Sequence, residues 1–88
     1  MKEFHLHLVS DATGETLHSV ARACFVQFDG IEPVEHHWPL VRTKGQIEKI
    51  VRNIEEHQGI VLFTIVKEEL RTVLEIGCSR VHVPCSSV

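Results

Sequence analysis

The sequence carries a short run of hydroxyl-bearing residues around a glycine, close to its first residue. Residues 10–16 read Ser-Asp-Ala-Thr-Gly-Glu-Thr. Glycine lets the backbone approach a ligand closely, and free N–H groups at a helix start bind anions well together with hydroxyl donors. The hydroxyls of Ser10, Thr13 and Thr16 and the backbone at Gly14 therefore predict a turn that binds phosphate or a phosphate-bearing substrate.

Two carboxylates, Asp11 and Glu15, stand in the same run and restrict which ligand it takes. They would repel a bare phosphate dianion unless Mg²⁺ or a basic side chain lay between them. Asp11 could ligate that Mg²⁺ or act as a base toward an incoming hydroxyl, with Glu15 orienting the reacting groups. Arg42 could supply positive charge from another loop, although an ordinary exposed charge is the simpler interpretation of it. A simpler interpretation of the run is that Thr13 caps a helix and that the Glu15 carboxylate interacts favourably with the positive end of the helix dipole.

The apolar pattern places this run after a strand and before a helix. Residues 4–10 alternate as a strand does, and the apolar residues from 17 to 28, Cys24 among them, recur at helical spacing. A capping-box pattern at Thr43 and Gln46 begins a second helix, which ends before Gly59. The full prediction is a series of strands over 4–10, 33–38, 60–66 and 81–85, alternating with helices over 15–28, 43–58 and 67–77.

Alternating strands and helices indicate right-handed crossovers. They predict an α/β fold of the Rossmann or flavodoxin-like type, in which a parallel sheet has helices on both faces. Ligands of such folds bind beyond the carboxyl ends of the strands, beside the first strand, which is where residues 10–16 lie. Complete doubly wound sheets usually have about five or more strands. We therefore expect residues 1–88 to form a single α/β domain or the N-terminal subdomain of a longer protein.

Composition argues against several classes of function. With 88 residues and a formal net charge of -3, the chain lacks the clustered basic surface that nucleic-acid binding requires. No apolar run approaches the roughly 20 residues of a membrane span. The three cysteines form no Cys-x-x-Cys pair, which argues against a thiolate zinc site and fits a reducing cytoplasm. The seven histidines show no local spacing typical of metal ligands, so we expect structural or surface histidines and no metal site.

A flavodoxin-like carrier of FMN is one alternative, because residues 12–16 are similar to the flavodoxin phosphate loop, T-x-T-G-x-T. Asp11 stands where that loop has its first hydroxyl, however, and the sequence has no Tyr. Trp38 stands at the end of the second predicted strand rather than after the third, where an aromatic residue should cover the flavin ring. A phospho-acceptor receiver domain shares the topology but needs an Asp after the third strand, where residues 64–66 read Thr-Ile-Val. Both alternatives are therefore disfavoured.

Several separated segments together resemble one bacterial family. Residues 4–17 and 20–23 are similar to the start of the pyruvate, phosphate dikinase regulatory proteins, a family that also includes the phosphoenolpyruvate synthase regulators. The resemblance continues in residues 38–43, 59–64, 69–71 and 83–85, so it covers essentially the whole chain. Within the turn, Ala12 replaces the second serine of the family's Ser-Asp-Ser-Thr-Gly-Glu-Thr.

The resemblance implies a bifunctional serine/threonine kinase and pyrophosphorylase in the cytoplasm. Such proteins use ADP to phosphorylate a threonine of pyruvate, phosphate dikinase or phosphoenolpyruvate synthase, which inactivates that enzyme. They use inorganic phosphate to remove the group, with release of pyrophosphate, which reactivates it. The family's nucleotide loop, a turn of the G-x-x-x-x-G-K-[ST] type, lies beyond the matched region, so we expect little kinase activity from residues 1–88 alone.

A second hypothesis comes from another class of function. The chain would be a non-catalytic module that docks the dikinase or forms a homodimer, and residues 10–16 would serve only to begin a helix. The two hypotheses differ in whether changes at Asp11 and Thr13 abolish turnover or leave it intact.

Overall fold

The structure, a computed structural model, describes residues 4–25 and 33–88. Its elements are β1 His5–Ser10, α1 Glu15–Phe25, β2 Val34–Trp38, α2 Lys44–Glu56, β3 Gly59–Thr64, α3 Glu68–Arg80 and β4 Cys85–Ser87. The predicted alternation of strands and helices is confirmed, while residues 26–28 of the first predicted helix lie outside the described residues. Within the described ranges, no helix combines the length and the apolar character that crossing a membrane would require.

The four strands form one parallel sheet in the order β2-β1-β3-β4. β1 lies between β2 and β3 and pairs with both, so that His7 has His36 on one side and Val61 on the other. Parallel sheets generally need cover on both faces. α1 packs on one face, and α2 and α3 pack on the other, which confirms the predicted α/β arrangement.

The larger core lies between the sheet and the α2–α3 pair. α2 begins with the predicted capping box: the Gln46 N–H donates to the Thr43 hydroxyl at 3.2 Å, and the Thr43 N–H donates to the Gln46 side chain at 3.0 Å. The box sets where the helix begins, and the apolar side chains that follow at helical spacing face inward. The buried members of this core are Val9, Val41, Ile47, Ile50, Val51, Ile54, Val61, Phe63, Ile65, Leu70, Leu74, Cys78 and Val83.

A smaller apolar cluster joins α1 to the opposite face of the sheet. Its buried members are Leu6, Leu8, Leu17 and Ala21, flanked by the partly buried Ile60 and Leu62. Cys24, predicted in the same helical stripe, is exposed. On this face the β3 side chains Ile60 and Leu62 stay partly exposed, whereas Val61 and Phe63 on the opposite face are buried.

β3 ends earlier than the apolar run over 60–66 predicts. Its last residue is Thr64, and the Val66 N–H then donates to the Asp11 carboxylate at 2.8 Å instead of continuing the ladder. Ile65 stays in the core at 5% exposed, whereas Val66 is 84% exposed. The end of the strand therefore depends on a side chain from the turn after β1.

The predicted fourth strand is present, but its predicted bounds, 81–85, are wrong, because α3 does not end at Gly77. Gly77 packs so closely on α2 that an added Cβ would lie 2.6 Å from the Cγ2 atom of Val51. The missing side chain permits contact between two helices instead of ending one, and α3 continues to Arg80. The last strand accordingly covers Cys85–Ser87.

Gly59, the first residue of β3, lies directly against β1, and we expect Gly59→Ala to be strongly destabilising. An added Cβ would lie 1.8 Å from the His5 carbonyl oxygen, so the two strands would have to separate. The free energy of unfolding, measured by urea denaturation, should fall by about 2 kcal/mol or more.

The matched control is Gly45→Ala in the first turn of α2. There an added Cβ meets only the Thr43 hydroxyl, at 3.9 Å. Alanine at this position should be neutral or should stabilise the helix by up to about 1 kcal/mol. Equal losses of stability in the two variants would contradict the close approach of β3 to β1.

Candidate functional site

Loops from two neighbouring strands are joined at the carboxyl edge of the sheet, where the sequence predicts the site. The Leu40 N–H donates to the Ala12 carbonyl at 2.9 Å, and the Val41 N–H donates to the Ser10 carbonyl at 3.0 Å. These bonds fasten the loop after β2 to the turn after β1. The predicted candidates in the two loops are therefore held at fixed positions relative to one another.

Ser10 lies in the middle of this edge, and its side chain is almost fully buried. Its Oγ atom accepts from the Ala12 N–H at 3.0 Å and from the Thr64 hydroxyl at 3.2 Å. The Asp11 N–H also donates to the Thr64 carbonyl at 3.2 Å. The hydroxyl predicted to contact a ligand is thus engaged inside the protein, where it holds the turn after β1 to the end of β3.

Asp11 and Arg42, both candidates from the sequence, lie next to each other. Nη1 of Arg42 donates to the Asp11 carbonyl oxygen and, at 3.3 Å, to the Val41 carbonyl. The Asp11 carboxylate accepts from the Val66 N–H. A guanidinium has five N–H donors, and in the part of the chain that the structure describes the Nη2 and Nε donors of Arg42 have no protein acceptor. They remain available to an anion.

A pocket of about 340 Å³ opens between these loops and the start of α3. Its lining residues are Asp11, Val41, Arg42, Lys67 and Leu70. Val41 and Leu70 are buried and contribute apolar surface, whereas Arg42 and Lys67 are exposed and contribute two positive charges. Two cations and one carboxylate favour an anionic ligand. The guanidinium of Arg42 offers N–H donors side by side, which suits a ligand group that presents two oxygen acceptors.

Lys67 is the residue of this pocket that sequence reasoning missed. Lys67 lies far along the chain from the turn at residues 10–16, so no local pattern connects the two. The strand order places β3 beside β1, so the residue before α3 comes next to the turn after β1. A signal was available in the sequence, because Lys67 directly follows the predicted buried strand 60–66 at its carboxyl end.

The start of α1 lies beside the pocket rather than in its lining. Gly14 has a φ of +84°, in the left-handed region that favours glycine, and its carbonyl accepts from the His18 N–H at 2.9 Å. Gly14 rather than Thr13 therefore occupies the cap position, and it brings no side chain to the N–H groups of the first turn. Thr13, Glu15 and Thr16 are all exposed.

A larger cavity, about 660 Å³, lies between α2 and α3, away from the carboxyl ends of the strands. Acidic and basic side chains are mixed along its wall, including Glu48, Arg52, Glu55 and Arg80. Mixed charge of this kind selects no particular ligand. The smaller pocket is the better candidate because it lies where α/β sheets bind ligands and has an excess of positive charge.

A cluster of four histidines lies toward the amino end of the sheet, on the face covered by α2 and α3. Its members are His5, His7, His36 and His57, with ring centroids between 4.5 and 5.4 Å apart. The sequence predicted structural or surface histidines but no cluster. The cluster arises because β1 pairs with β2 in register and because His57, the residue that caps the end of α2, lies beside the start of β1.

His7 is the fully buried member of this cluster and is hydrogen-bonded as a neutral ring. Its Nε2 atom lies 2.8 Å from the His57 carbonyl oxygen, and the Trp38 Nε1–H donates to its Nδ1 atom at 3.4 Å. A neutral imidazole with its hydrogen on Nε2 satisfies both bonds, whereas a protonated ring would turn a second donor toward Trp38. Burial lowers the pKa of His7, and the neighbouring His36 and His5 lower it further.

The buried and half-buried thiols have no reactive character. Burial raises the pKa of the Cys78 thiol to about 12 and also raises that of Cys85. Both groups therefore stay protonated near neutral pH, and a thiol is a much weaker nucleophile than a thiolate.

Comparison with known proteins identifies the family. The profile of the kinase/pyrophosphorylase family matches residues 6–88, a range that contains every candidate residue of the carboxyl edge. The chain belongs to this family. The resemblance of its separated segments to the pyruvate, phosphate dikinase regulators is thereby confirmed.

Individual relatives in the family match nearly the whole chain. A protein of Paramagnetospirillum magneticum is 56% identical over 88 residues, which are 100% of this chain and 28% of the relative. Proteins of Bradyrhizobium sp. and Nitrobacter winogradskyi are 49% and 46% identical over 97% and 99% of this chain, and over 30% and 31% of their own lengths. Each bears the provisional name pyruvate, phosphate dikinase regulatory protein. The chain thus spans less than a third of the length of these relatives.

The lowered pKa of His7 predicts that the protein loses stability in mild acid. Below the unfolded pKa of about 6.5, the unfolded chain binds a proton at this position while the folded chain does not. The free energy of unfolding should therefore decrease as the pH falls from 7.5 to 5.5, measured by urea denaturation in the presence of a chelator.

His7→Gln should make this dependence on pH shallower, because the titrating ring is gone. The exposed His82→Asn is the control for replacing a histidine outside the cluster, and asparagine tolerates the φ of +60° at this position. If His7→Gln is too unstable for measurement, His36→Gln serves instead, because burial lowers the pKa of His36 too. Identical slopes in the parent and in both cluster variants would show that the cluster does not couple folding to pH.

Proposed function

We propose that this chain supplies the N-terminal part of a bifunctional kinase and pyrophosphorylase that regulates pyruvate, phosphate dikinase. In the forward reaction ADP transfers a phosphoryl group to a threonine hydroxyl of the dikinase, which leaves AMP. In the opposite reaction inorganic phosphate accepts the phosphoryl group from the phosphothreonine, which forms pyrophosphate and restores the threonine hydroxyl. Membership of the kinase/pyrophosphorylase family and the names of three relatives support the assignment.

The observation that carries the site is the presence of Arg42 and Lys67 beside Asp11 at the carboxyl edge. Phosphoryl transfer depends mainly on positioning and on stabilising the negative charge of the transferring group. Arg42 is suited to two oxygens at once, and Lys67 acts as a point charge. A pocket of about 340 Å³ lies near the lower end of the usual range for ligand sites, so it fits a phosphate-bearing group better than a whole nucleotide.

One carboxylate oxygen of Asp11 accepts from the Val66 N–H. In this proposal the second oxygen faces the reacting threonine hydroxyl. That oxygen accepts the proton of the threonine hydroxyl during transfer. In its alternative role, this oxygen would instead ligate a Mg²⁺ ion bound with ADP, together with phosphate oxygens. Glu15 orients the hydroxyl, and the hydroxyls of Thr13 and Thr16 donate to phosphate oxygens together with the first-turn N–H groups after Gly14.

The nucleotide itself is assigned to residues outside this chain, because the turn that binds it in the family is not found among residues 1–88. The carboxyl edge would then serve as the substrate side of a larger active site. On this proposal the isolated 88 residues transfer little or no phosphate. A test of catalysis consequently needs the full-length protein.

The test uses Asp11→Asn, Thr13→Ala, Arg42→Met and Lys67→Met in the full-length protein, with both activities measured on the dikinase. Asn still accepts from the Val66 N–H, so Asp11→Asn removes the charge while keeping the structural bond. We expect Asp11→Asn and Arg42→Met to lower the rate of each reaction by about 100-fold, and the other two by about tenfold.

The matched control for the lost positive charges is Lys44→Met, an exposed lysine at the first position of α2 that does not line the pocket. Its activities should equal those of the parent protein. Unfolding curves of all variants distinguish loss of chemistry from loss of folding. Full activity of all four site variants would exclude the carboxyl edge from catalysis.

A docking function for the same edge is the second candidate, and two exposed apolar side chains favour it. Leu40 is 53% exposed in the loop after β2, and Val66 is 84% exposed in the loop after β3. Apolar groups exposed beside charged ones are typical of protein–protein contact surfaces. A partner could therefore rest on the rim while its threonine enters the pocket.

Pull-down of the dikinase separates the two functions. If the edge both docks and reacts, Asp11→Asn should keep the dikinase bound and abolish turnover, whereas Leu40→Ser with Val66→Ser should weaken capture by at least tenfold. Ile76→Ser, an exposed apolar residue of α3, is the matched control and should leave capture unchanged. Normal turnover of Asp11→Asn together with weakened capture by the double variant would support docking without catalysis.

A further inference from the structure

A second group of potential ligands lies on the face of the sheet covered by α1, separate from the carboxyl-edge pocket. It consists of His18 from α1 and Glu35 and His37 from β2. In the parallel pairing Glu35 lies opposite Leu6 and His37 opposite Leu8. Leu6 and Leu8 pack on α1, so the alternation of side chains along β2 directs Glu35 and His37 to the same helix.

The distances within this group suit a small metal ion. Nδ1 of His18 lies 3.3 Å from Oε1 of Glu35, and Nε2 of His37 lies 3.9 Å from the same oxygen. The three ligand atoms all lie within 4.8 Å of one another. A tetrahedral zinc ion at 2.0–2.1 Å from each ligand requires ligand atoms about 3.4 Å apart. The two distances to Oε1 of Glu35 lie within about 0.5 Å of that spacing.

An independent observation concerns the Nδ1 atom of His18. This atom is buried and has no hydrogen-bond partner in the described residues, because its contact with Glu35 has the distance of an ion pair but not the geometry of a hydrogen bond. A buried nitrogen without a partner is costly, and native structures contain few of them. A metal ion would accept its lone pair and remove that cost.

The group is also open enough for an ion to enter. The side chains of His18, Glu35 and His37 are 36, 30 and 48% exposed. Two imidazoles and one carboxylate are a ligand set that Zn²⁺ accepts, with water in the fourth position. Mg²⁺ and Ca²⁺ prefer sets made of oxygen atoms, so this set selects against them.

We propose that His18, Glu35 and His37 form a zinc-binding site that links α1 to β2. The ion joins an edge strand to a helix that is otherwise held by a small apolar cluster. Bound zinc stabilises the folded chain, because the unfolded chain does not hold the three ligands together. The site is independent of the proposed kinase function and makes no contact with the pocket at the carboxyl edge.

The test is calorimetric titration of the purified full chain, stripped with a chelator, with ZnCl₂ at pH 7.5. We expect one Zn²⁺ per chain and an increased thermal midpoint of unfolding when zinc is added. His37→Ala and Glu35→Gln should each weaken zinc binding by about 100-fold, since changes even to groups behind a metal ligand often cost 10- to 100-fold. Both residues are substantially exposed or on an edge strand, so the variants should fold.

Two controls keep the proposal falsifiable. His82→Asn replaces an exposed histidine that lines the cavity between α2 and α3, and it should leave zinc affinity unchanged. His36→Gln disrupts the neighbouring four-histidine cluster and should change the zinc affinity less than twofold. Loss of zinc binding in His36→Gln with retention in His37→Ala would overturn the proposal and place the ion in the other cluster. Equal zinc affinity of the parent, His37→Ala and Glu35→Gln would overturn it as well.

Discussion

The hydrogen-bonded pairing of β1 with a parallel strand on each side is the constraint on which the rest of the molecule depends. β1 contributes alternate side chains to two different layers: Leu6 and Leu8 to the α1 side, and His7 and Val9 to the α2–α3 side. A register slip of one residue along β1 would exchange these sets and bury the wrong side chains on both faces. The close approach of β3 to β1 at Gly59 fixes that register at its first pair.

The same pairing separates the polar groups into distinct regions. At the carboxyl edge, Asp11, Arg42 and Lys67 come from the ends of three adjacent strands and face an open pocket. Toward the amino end, His7 is enclosed, and its two ring nitrogens are matched by a carbonyl and an indole N–H. An enclosed polar group is tolerated because it is hydrogen-bonded, whereas the open edge leaves donors available to a ligand.

Asp11 links folding to the site. Its N–H donates to the carbonyl of Thr64, the last residue of β3, and its carboxylate accepts from the N–H of Val66, two residues further on, which stops the strand and turns the chain toward α3. The same bonds position Lys67, the next residue, at the pocket. In a family that transfers phosphoryl groups, such positioning matters because alignment of charged groups supplies much of the rate enhancement.

The sequence by itself determined the α/β class, the order of the elements, the capping box of α2 and the family, because these depend on local periodicity, local hydrogen bonding and matched segments. It also indicated the turn at residues 10–16 and Arg42. Only the tertiary structure decided that Lys67 joins that edge, that Ser10 faces inward, and that Gly77 continues a helix against Val51 instead of ending it. The four-histidine cluster and the group of His18, Glu35 and His37 were also decided only by the tertiary structure, because strand register and helix packing bring their members together. Such contacts join residues that are distant in the chain. Their energies depend on which residues come together, and a local sequence pattern does not show that.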